Sequence, residues 1–303
     1  MTDADVPSVK IAMKSRFDFG AARRLAKFCR DNNVDIIHTH FLRENYIALM
    51  SRLFYSKTRV VYTNHILMKN GFITRLMNRF FSPLQHRVIA VCEAGKKLLV
   101  KSGFPERIIE VIHNGIDARL WACERRGKNE PLTFIYVARV VEGKGHEFLL
   151  RAAALIKDKP FRLVIAGDGN LFGDMILLAE RLGIWEKVIF TGFCEDVKPM
   201  LAAADVFISA SESEALSISI LEAMASGLPV IATDVGGNPE IILGAGCGVL
   251  VPYNEPKVLA DAMADMLANA EARGKYGQAS LEAVNGEFSV ETMYKKTMEV
   301  YRR

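Results

Sequence analysis

The chain has 303 residues, half of them hydrophobic and about a quarter charged, which suits a soluble α/β protein of two ordinary domains. No apolar run approaches the roughly 18 to 20 residues of a membrane span, and the polar, acidic start MTDADVPS is not a secretory signal. Five cysteines scattered without a C-x-x-C pair exclude a disulfide framework and a zinc site, and fit a reducing cytoplasm. The net charge of +4 is unevenly divided. Residues 1–127 carry 22 Lys and Arg against 11 Asp and Glu, a balance of +11, whereas residues 128–303 total −7. Such a split suggests two domains facing different partners, the first an anionic one.

Strand-like apolar runs alternate with helical ones along the whole chain, the pattern of parallel sheets covered by helices on both faces. Residues Phe19 to Asn33 form an amphipathic helix, followed by the strand DIIHTH (Asp35 to His40). A helix over Asn45 to Ser56 precedes the strand RVVYTNH (Arg59 to His65). A helix near Phe72 to Phe81 leads to RVIAVC (Arg87 to Cys92), and one near Ala94 to Ser102 leads to IIEVIHNG (Ile108 to Gly115). SVKIAMKS (Ser8 to Ser15) offers a possible edge strand. Asp117 to Pro131 is polar and aperiodic and reads as an inter-domain linker.

The alternation then restarts with LTFIYVAR, HEFLLRAAALIKD, FRLVIAGDG, LFGDMILLAERLGI, KVIFTGF, VKPMLAAA and VFISAS. A helix running to Gly227, the strand PVIAT, and a helix with Asn238 as N-cap and Pro239 at its first position follow. SVETMYKKTMEVYRR is a terminal helix. The second half is thus a five- or six-stranded unit. The expected boundaries are a first domain over 1–127, a second over 128–286, and a terminal helix in 287–303 packing back toward the first.

Within SESEALSISILEAMASGLPVIA, Glu214 lies in the loop after the strand VFISAS, and Glu222 in an early turn of the next helix. Ligands of open α/β sheets sit over strand ends and against helix amides, and carboxylates accept hydrogen bonds from paired hydroxyls. Ser219 and Glu222 also have the spacing of a capping box, so Glu222 has a structural reading beside the binding one. The turn VARVVEGKGHEF holds Arg139, Gly143, Lys144 and Gly145. It does not match a Walker motif, but two cations beside small residues suit a diphosphate clamp or, equally, a solvated basic turn. Gly167 to Asn170 is a glycine turn short of the full dinucleotide fingerprint. Gly192 and Phe193 end the next strand.

His38, His40 and His65 lie at the ends of two first-domain strands. His38 is expected to face the core or the covering helices, while His65, last on its strand, is the better functional candidate. No acidic partner at ligand spacing supports a metal. The segment His65 to Arg87 interleaves Lys69, Arg75, Arg79 and Arg87 with apolar residues and contains no acid. It fits a helix lying on an anionic membrane surface or a sheet-covering helix with an exposed basic edge.

These pieces, in this order, resemble the retaining, nucleotide-sugar-dependent glycosyltransferases of family 4. The matching runs are DIIHTH, TNH ending at His65, HNGID ending at Asp117, ARVVEGKG, GDG, TGF, the Glu214/Glu222 pair with EAMASGLPVIATDVGG, and the terminal helix. The resemblance implies a GT-B architecture, two Rossmann-like domains with parallel sheets facing a cleft. It implies a hexose-type donor linked to UDP, GDP or ADP, a cell-envelope glycan or lipid-linked acceptor, and neither metal, cofactor nor nucleic acid.

Residue by residue, the resemblance has Glu222 bind the ribose and Glu214 contact the transferred sugar. Arg139 and Lys144 hold the diphosphate, and the backbone around Ala215, Leu216, Ser217 and Ile218 contacts sugar and phosphates. Gly167, Gly192 and Phe193 complete the donor site, and His65 reaches the donor from the first domain. Catalytic roles fall to Glu214, His65, Arg139 and Lys144. The expected location is the cytoplasm, at the inner face of the plasma membrane.

Two departures stand out. Ala215 and Ser217 replace glycines of the family pattern, and the family's first strand, glycine-rich turn and next βα unit have no counterpart, giving an incomplete first domain. The last point makes a non-catalytic nucleotide-sugar binder the alternative reading. An oxidoreductase is disfavoured by the incomplete glycine fingerprint.

Overall fold

A computed structural model describes residues 7–67, 70–122 and 130–303. The chain forms two compact units, one comprising residues up to Val111 together with Glu299–Arg303, the other Ile112–Met298. The start MTDADV, Met68 and Lys69 of the basic segment, and residues 123–129 of the stretch read as a linker lie outside the described residues.

The first unit runs α1 (Phe19–Asp31), β1 (Ile36–Thr39), α2 (Leu42–Ser51), β2 (Arg59–Asn64), α3 (Phe72–Phe81), β3 (Arg87–Ala90), α4 (Glu93–Lys101) and β4 (Ile109–Val111). Its sheet is parallel in the order β1-β2-β3-β4. Asp18 caps α1, its Oδ1 accepting the Ala21 amide at 2.9 Å. On one side of the sheet Tyr62, Val88, Ala90, Leu99 and Phe104 form an apolar cluster. Ala21 and Ala22 of α1 pack against Ile47 and Met50 of α2 in another. The expected edge strand over Ser8 to Ser15 is absent: residues 7–13 have no strand pairing. Ile11 and Met13 instead pack against the α1/α2 cluster, and Arg24 donates to the Ala12 carbonyl at 2.7 Å. Their alternation reflects contact with helices, which a period of two does not distinguish from a sheet edge.

The second unit runs β5 (Leu132–Val137), α5 (His146–Leu155), β6 (Phe161–Ala166), α6 (Phe172–Arg181), β7 (Val188–Gly192), α7 (Lys198–Ala202), β8 (Val206–Ser209) and α8 (Ile218–Ala225). It continues with β9 (Val230–Thr233), α9 (Asn238–Ala245), β10 (Gly248–Val251), α10 (Pro256–Ala268) and α11 (Ala270–Asn285). α12 (Val290–Arg302) begins in this unit. All pairs in its six-stranded sheet are parallel, in the order β10-β9-β8-β5-β6-β7. Phe134, Ile135, Leu163, Ile165, Phe207 and Ile208 are almost completely buried. Burying each such side chain contributes about 1.5–3 kcal/mol, which explains why these strands read as continuous apolar runs.

The chain leaves β5 toward β6 and β7, then returns to the other side of β5 for β8, β9 and β10. The order therefore reverses between β5 and β8, the switch point at which open α/β sheets carry a ligand crevice beyond their strand ends. The turn after β5 carries Arg139 and Lys144, and the loop after β8 carries Glu214.

Asn238 is the first residue of α9 rather than its cap. Gly237 is the cap, Pro239 sits at the second position, and the buried Asn238 side chain donates to the Thr233 carbonyl at 3.0 Å. The HNGID run is a clasp on the start of α12. Ile116 pairs with Ser289, and a side chain at Gly115 would meet the Ser289 carbonyl at 2.3 Å. His113 lies between Glu240 at 2.9 Å and Glu287 at 3.1 Å.

Candidate functional site

At the switch point the Lys144 ammonium donates to Glu214 Oε1 at 2.5 Å, both side chains being largely shielded from solvent. Five further contacts hold the two loops that carry this pair. The Tyr136 hydroxyl donates to the Lys144 carbonyl at 2.7 Å and contacts Ser211 Oγ at 3.0 Å. The Glu212 amide donates to the Gly143 carbonyl at 2.8 Å, and Thr233 Oγ1 donates to the Ser211 carbonyl at 2.6 Å. The Gly237 amide donates to the Glu214 carbonyl at 3.2 Å, tying in the turn after β9. Tyr136, Ser211 and Thr233 were not among the expected site residues. An isolated hydroxyl-bearing aromatic in the apolar run LTFIYV is the one signal that points to Tyr136, since a buried phenol needs a partner.

The turn depends on Gly145, the cap of α5, at φ 68°. A side chain there would meet the Ala210 carbonyl oxygen at 1.9 Å, so the β5 turn and the β8 loop touch backbone to backbone. His146 begins α5 and lies tilted against Tyr136, ring centroids 5.0 Å apart, buried, and neither ring nitrogen has a hydrogen-bond partner among the described residues. Burial, assisted by the Lys144 charge, pushes its pKa down to about 4, so it is neutral at physiological pH.

Arg139 is exposed on the same turn. Gly167 and Gly169 serve close packing beneath it. At φ 144°, a side chain on Gly167 would meet the Ala138 carbonyl at 2.0 Å, and one on Gly169 the Val140 carbonyl at 2.2 Å. Gly167 also donates to the Gly192 carbonyl at 3.0 Å. Gly192, at φ 69°, faces open space, and Phe193 beside it is 79% exposed.

Ala215, Leu216 and Ser217 lead into α8, with Leu216 and Ser217 buried and Ile218 exposed. Ser217 is the N-cap and makes no side-chain capping bond to the helix; its Oγ contacts Ser219 Oγ at 3.1 Å. The capping-box reading of Glu222 is therefore corrected. With Ser217 as cap, the box position falls on Ile220, and Glu222 lies two residues beyond it. The amides of Ile218, Ser219 and Ile220 have no carbonyl of their own helix to donate to and carry the positive end of its dipole. Partial burial of the Glu222 carboxyl raises its pKa to about 7. A Lys–Glu pair and an exposed guanidinium thus lie on the two loops after β5 and β8, and a half-desolvated acid lies on the helix that the second loop enters.

In the first unit the three histidines form a stack. Rings of His38 and His40 lie 4.7 Å apart, and those of His40 and His65 5.2 Å apart. His40 Nδ1 and His65 Nε2 are 3.0 Å apart, so one carries the shared proton. His38, expected to face the core or helices, shares a face with His40. Residues two apart on a strand point the same way, and His38 bonds Thr63 at 2.6 Å and Tyr301 at 2.5 Å. Desolvation and the neighbouring rings bring His38 down to about 4. Desolvation and His40 also lower His65.

Residues 123–282 match the family described as "Glycosyl transferases group 1", and residues 4–120 match "Glycosyltransferase Family 4". The chain belongs to the group 1 glycosyl transferases. It is 26% identical to N-acetyl-alpha-D-glucosaminyl L-malate synthase of Bacillus anthracis, over 94% of this chain and 79% of that protein. It is 29% identical to the N-acetylgalactosamine-N,N'-diacetylbacillosaminyl-diphospho-undecaprenol 4-alpha-N-acetylgalactosaminyltransferase of Campylobacter jejuni, over 84% of this chain and 73% of that one. Among solved structures, that of Anabaena HepE with UDP-glucose superposes with a TM-score of 0.80 at 20% identity, covering 93% of this chain and 82% of the other. As a group 1 glycosyl transferase, the chain has two parallel-sheet Rossmann-like units and the GT-B type of fold. By family it is a glycosyl transferase.

Proposed function

We propose that this glycosyl transferase moves a hexose-type sugar from a UDP-, GDP- or ADP-linked donor to a cell-envelope glycan or lipid-linked acceptor, with retention of anomeric configuration and without a metal. The observation that carries this reading is the Lys144–Glu214 pair at the β5/β8 switch point, which joins the turn carrying the exposed Arg139 to the loop that leads into α8. A diphosphate entering the crevice competes for Lys144 and meets Arg139 and the helix dipole, which offset the charge building on the leaving group. Glu214, released from Lys144, accepts hydroxyls of the transferred sugar and stabilises its developing positive charge. Ionised Glu222 accepts the paired ribose hydroxyls.

Retention then follows from departure and attack on the same face. The acceptor hydroxyl loses its proton to a donor phosphate oxygen as its own oxygen bonds the anomeric carbon and the diphosphate departs. His65 is proposed to reach the donor. The names of the relatives support the donor and acceptor classes: one solved neighbour holds UDP-glucose, and one relative acts on a diphospho-undecaprenol-linked glycan. Such an acceptor implies work at an anionic membrane surface, at the cytoplasmic face of the plasma membrane. Among the described residues no helix is long and apolar enough to cross a membrane.

The experiment is a thermal-shift panel of UDP-, GDP- and ADP-sugars followed by transfer assays with the stabilising donor, because a ligand of the folded state raises the melting temperature. If Glu214→Gln and Lys144→Ala both transfer sugar at the wild-type rate, the site assignment is wrong.

A further inference from the structure

Helix α3 is built inside out. A surface helix ordinarily turns its apolar stripe to the core. In α3 the apolar side chains Phe72, Ile73, Leu76 and Phe80 are exposed, between 60% and 76% accessible. At about 100° per residue these four fall within a single arc of roughly 100°. The side that faces the protein is marked by Asn78, the one buried residue of the helix, roughly opposite the stripe. Asn78 accepts the Tyr46 hydroxyl at 2.6 Å and donates to the Ser102 carbonyl at 2.8 Å. Close backbone contact reinforces this anchor, since a side chain on Gly103 would meet the Arg75 carbonyl at 2.4 Å. The exposed basic edge expected of this helix is present as Arg75 and Arg79, which lie side by side along one edge of an exposed face that is itself apolar.

We propose that the stripe Phe72–Ile73–Leu76–Phe80 is a membrane-inserting surface that seats the first unit on an anionic bilayer, with Arg75 and Arg79 at the headgroup level. The proposal rests on the reading above that the chain works at such a surface, and it names the element responsible. Two observations select a bilayer over a protein. Both flanking charges are cationic, and the sequence from His65 to Arg87 contains no acid, which suits anionic headgroups rather than a mixed-charge protein rim. The stripe is also small. Four such side chains present on the order of 500 Å², short of the ~800 Å² per partner of a stable protein interface, yet enough for an interfacial helix.

The test is flotation of the purified chain with phosphatidylglycerol–phosphatidylcholine vesicles, compared with phosphatidylcholine alone. The wild type floats with the anionic vesicles. The double variant Phe72→Ser/Phe80→Ser loses partitioning about 100-fold, since each buried phenylalanine contributes roughly tenfold or more. Arg75→Glu/Arg79→Glu loses about tenfold or more, and only its share of binding is sensitive to salt. All four residues are exposed, so circular dichroism and the stabilisation by donor nucleotide remain those of the wild type. A wild type that fails to float, or a serine variant that floats unchanged, overturns the proposal. A concentration-dependent dimer that the serine variant dissolves assigns the stripe to a second copy and also overturns it. Transfer to a soluble acceptor separates the two readings: activity without flotation refutes the inserting stripe and leaves the transferase assignment standing.

Discussion

Replacing Glu222 with glutamine is expected to make the unliganded protein more stable at alkaline pH while weakening donor binding. Burial alone raises the carboxyl from its ordinary 4.5 to about 7, with no charged or hydrogen-bonding cause opposing it. The folded state therefore holds this proton more tightly than the unfolded chain does. Stability from this group is fully present below pH 4.5 and is lost as pH rises toward and through 7. One pKa unit is worth about 1.4 kcal/mol, so the shift corresponds to about 3 kcal/mol, reduced to about 2 kcal/mol for a side chain that retains some water. Glutamine has nearly the same shape and no proton to lose. Urea melts at pH 5 should give the two proteins similar stabilities. At pH 8 the variant should be more stable by about 1–2 kcal/mol. The same titration makes wild-type donor binding tighten between pH 6 and 8, because the ionised carboxylate is the better acceptor for ribose hydroxyls. A Glu222→Gln protein that is less stable than wild type at pH 8, or that shows the same pH slope, would refute this reasoning.

Acid should act in the opposite direction through His146 and His38, both held near 4 by burial. Their stabilising contribution is present above 6.5 and lost as pH falls toward 4, so wild-type melting temperature should drop over that window, and His146→Gln should flatten the drop. Gly145→Ala and Gly246→Ala form a matched pair, since both positions have φ above 60°. A new methyl at Gly145 meets a carbonyl oxygen at 1.9 Å, whereas Gly246 faces open space. Thermal melts should show a cost of about 1 kcal/mol at Gly246 and at least about 3 kcal/mol at Gly145. Equal costs would show that close approach is not what Gly145 provides.

The elements were legible because parallel strands buried on both faces leave apolar runs between amphipathic helices, and α3 spans the residues its periodicity indicates. What was not legible is mostly non-local. Lys144 and Glu214 were expected to serve different parts of a donor, and nothing in their spacing shows that they bond each other across 70 positions. The direction in which α3 turns its apolar stripe is likewise invisible to periodicity, which fixes the stripe but not what lies opposite it. Asn78 decides the matter through partners on α2 and after α4. The cap errors at Ser219 and Asn238 are shifts of one or two residues, where serine, glycine and asparagine compete for the same position.

The central claim is that the β5/β8 crevice binds the donor through its diphosphate and sugar separately. Calorimetric titration tests it most directly, using the nucleotide sugar that stabilises the protein and the corresponding free nucleoside diphosphate. Lys144→Ala should weaken both ligands by about 10–100-fold, the cost of removing a charge-assisted bond to phosphate. Glu214→Gln should weaken the sugar-linked ligand only. Unchanged affinity of Lys144→Ala for both ligands would place the donor elsewhere and contradict the account.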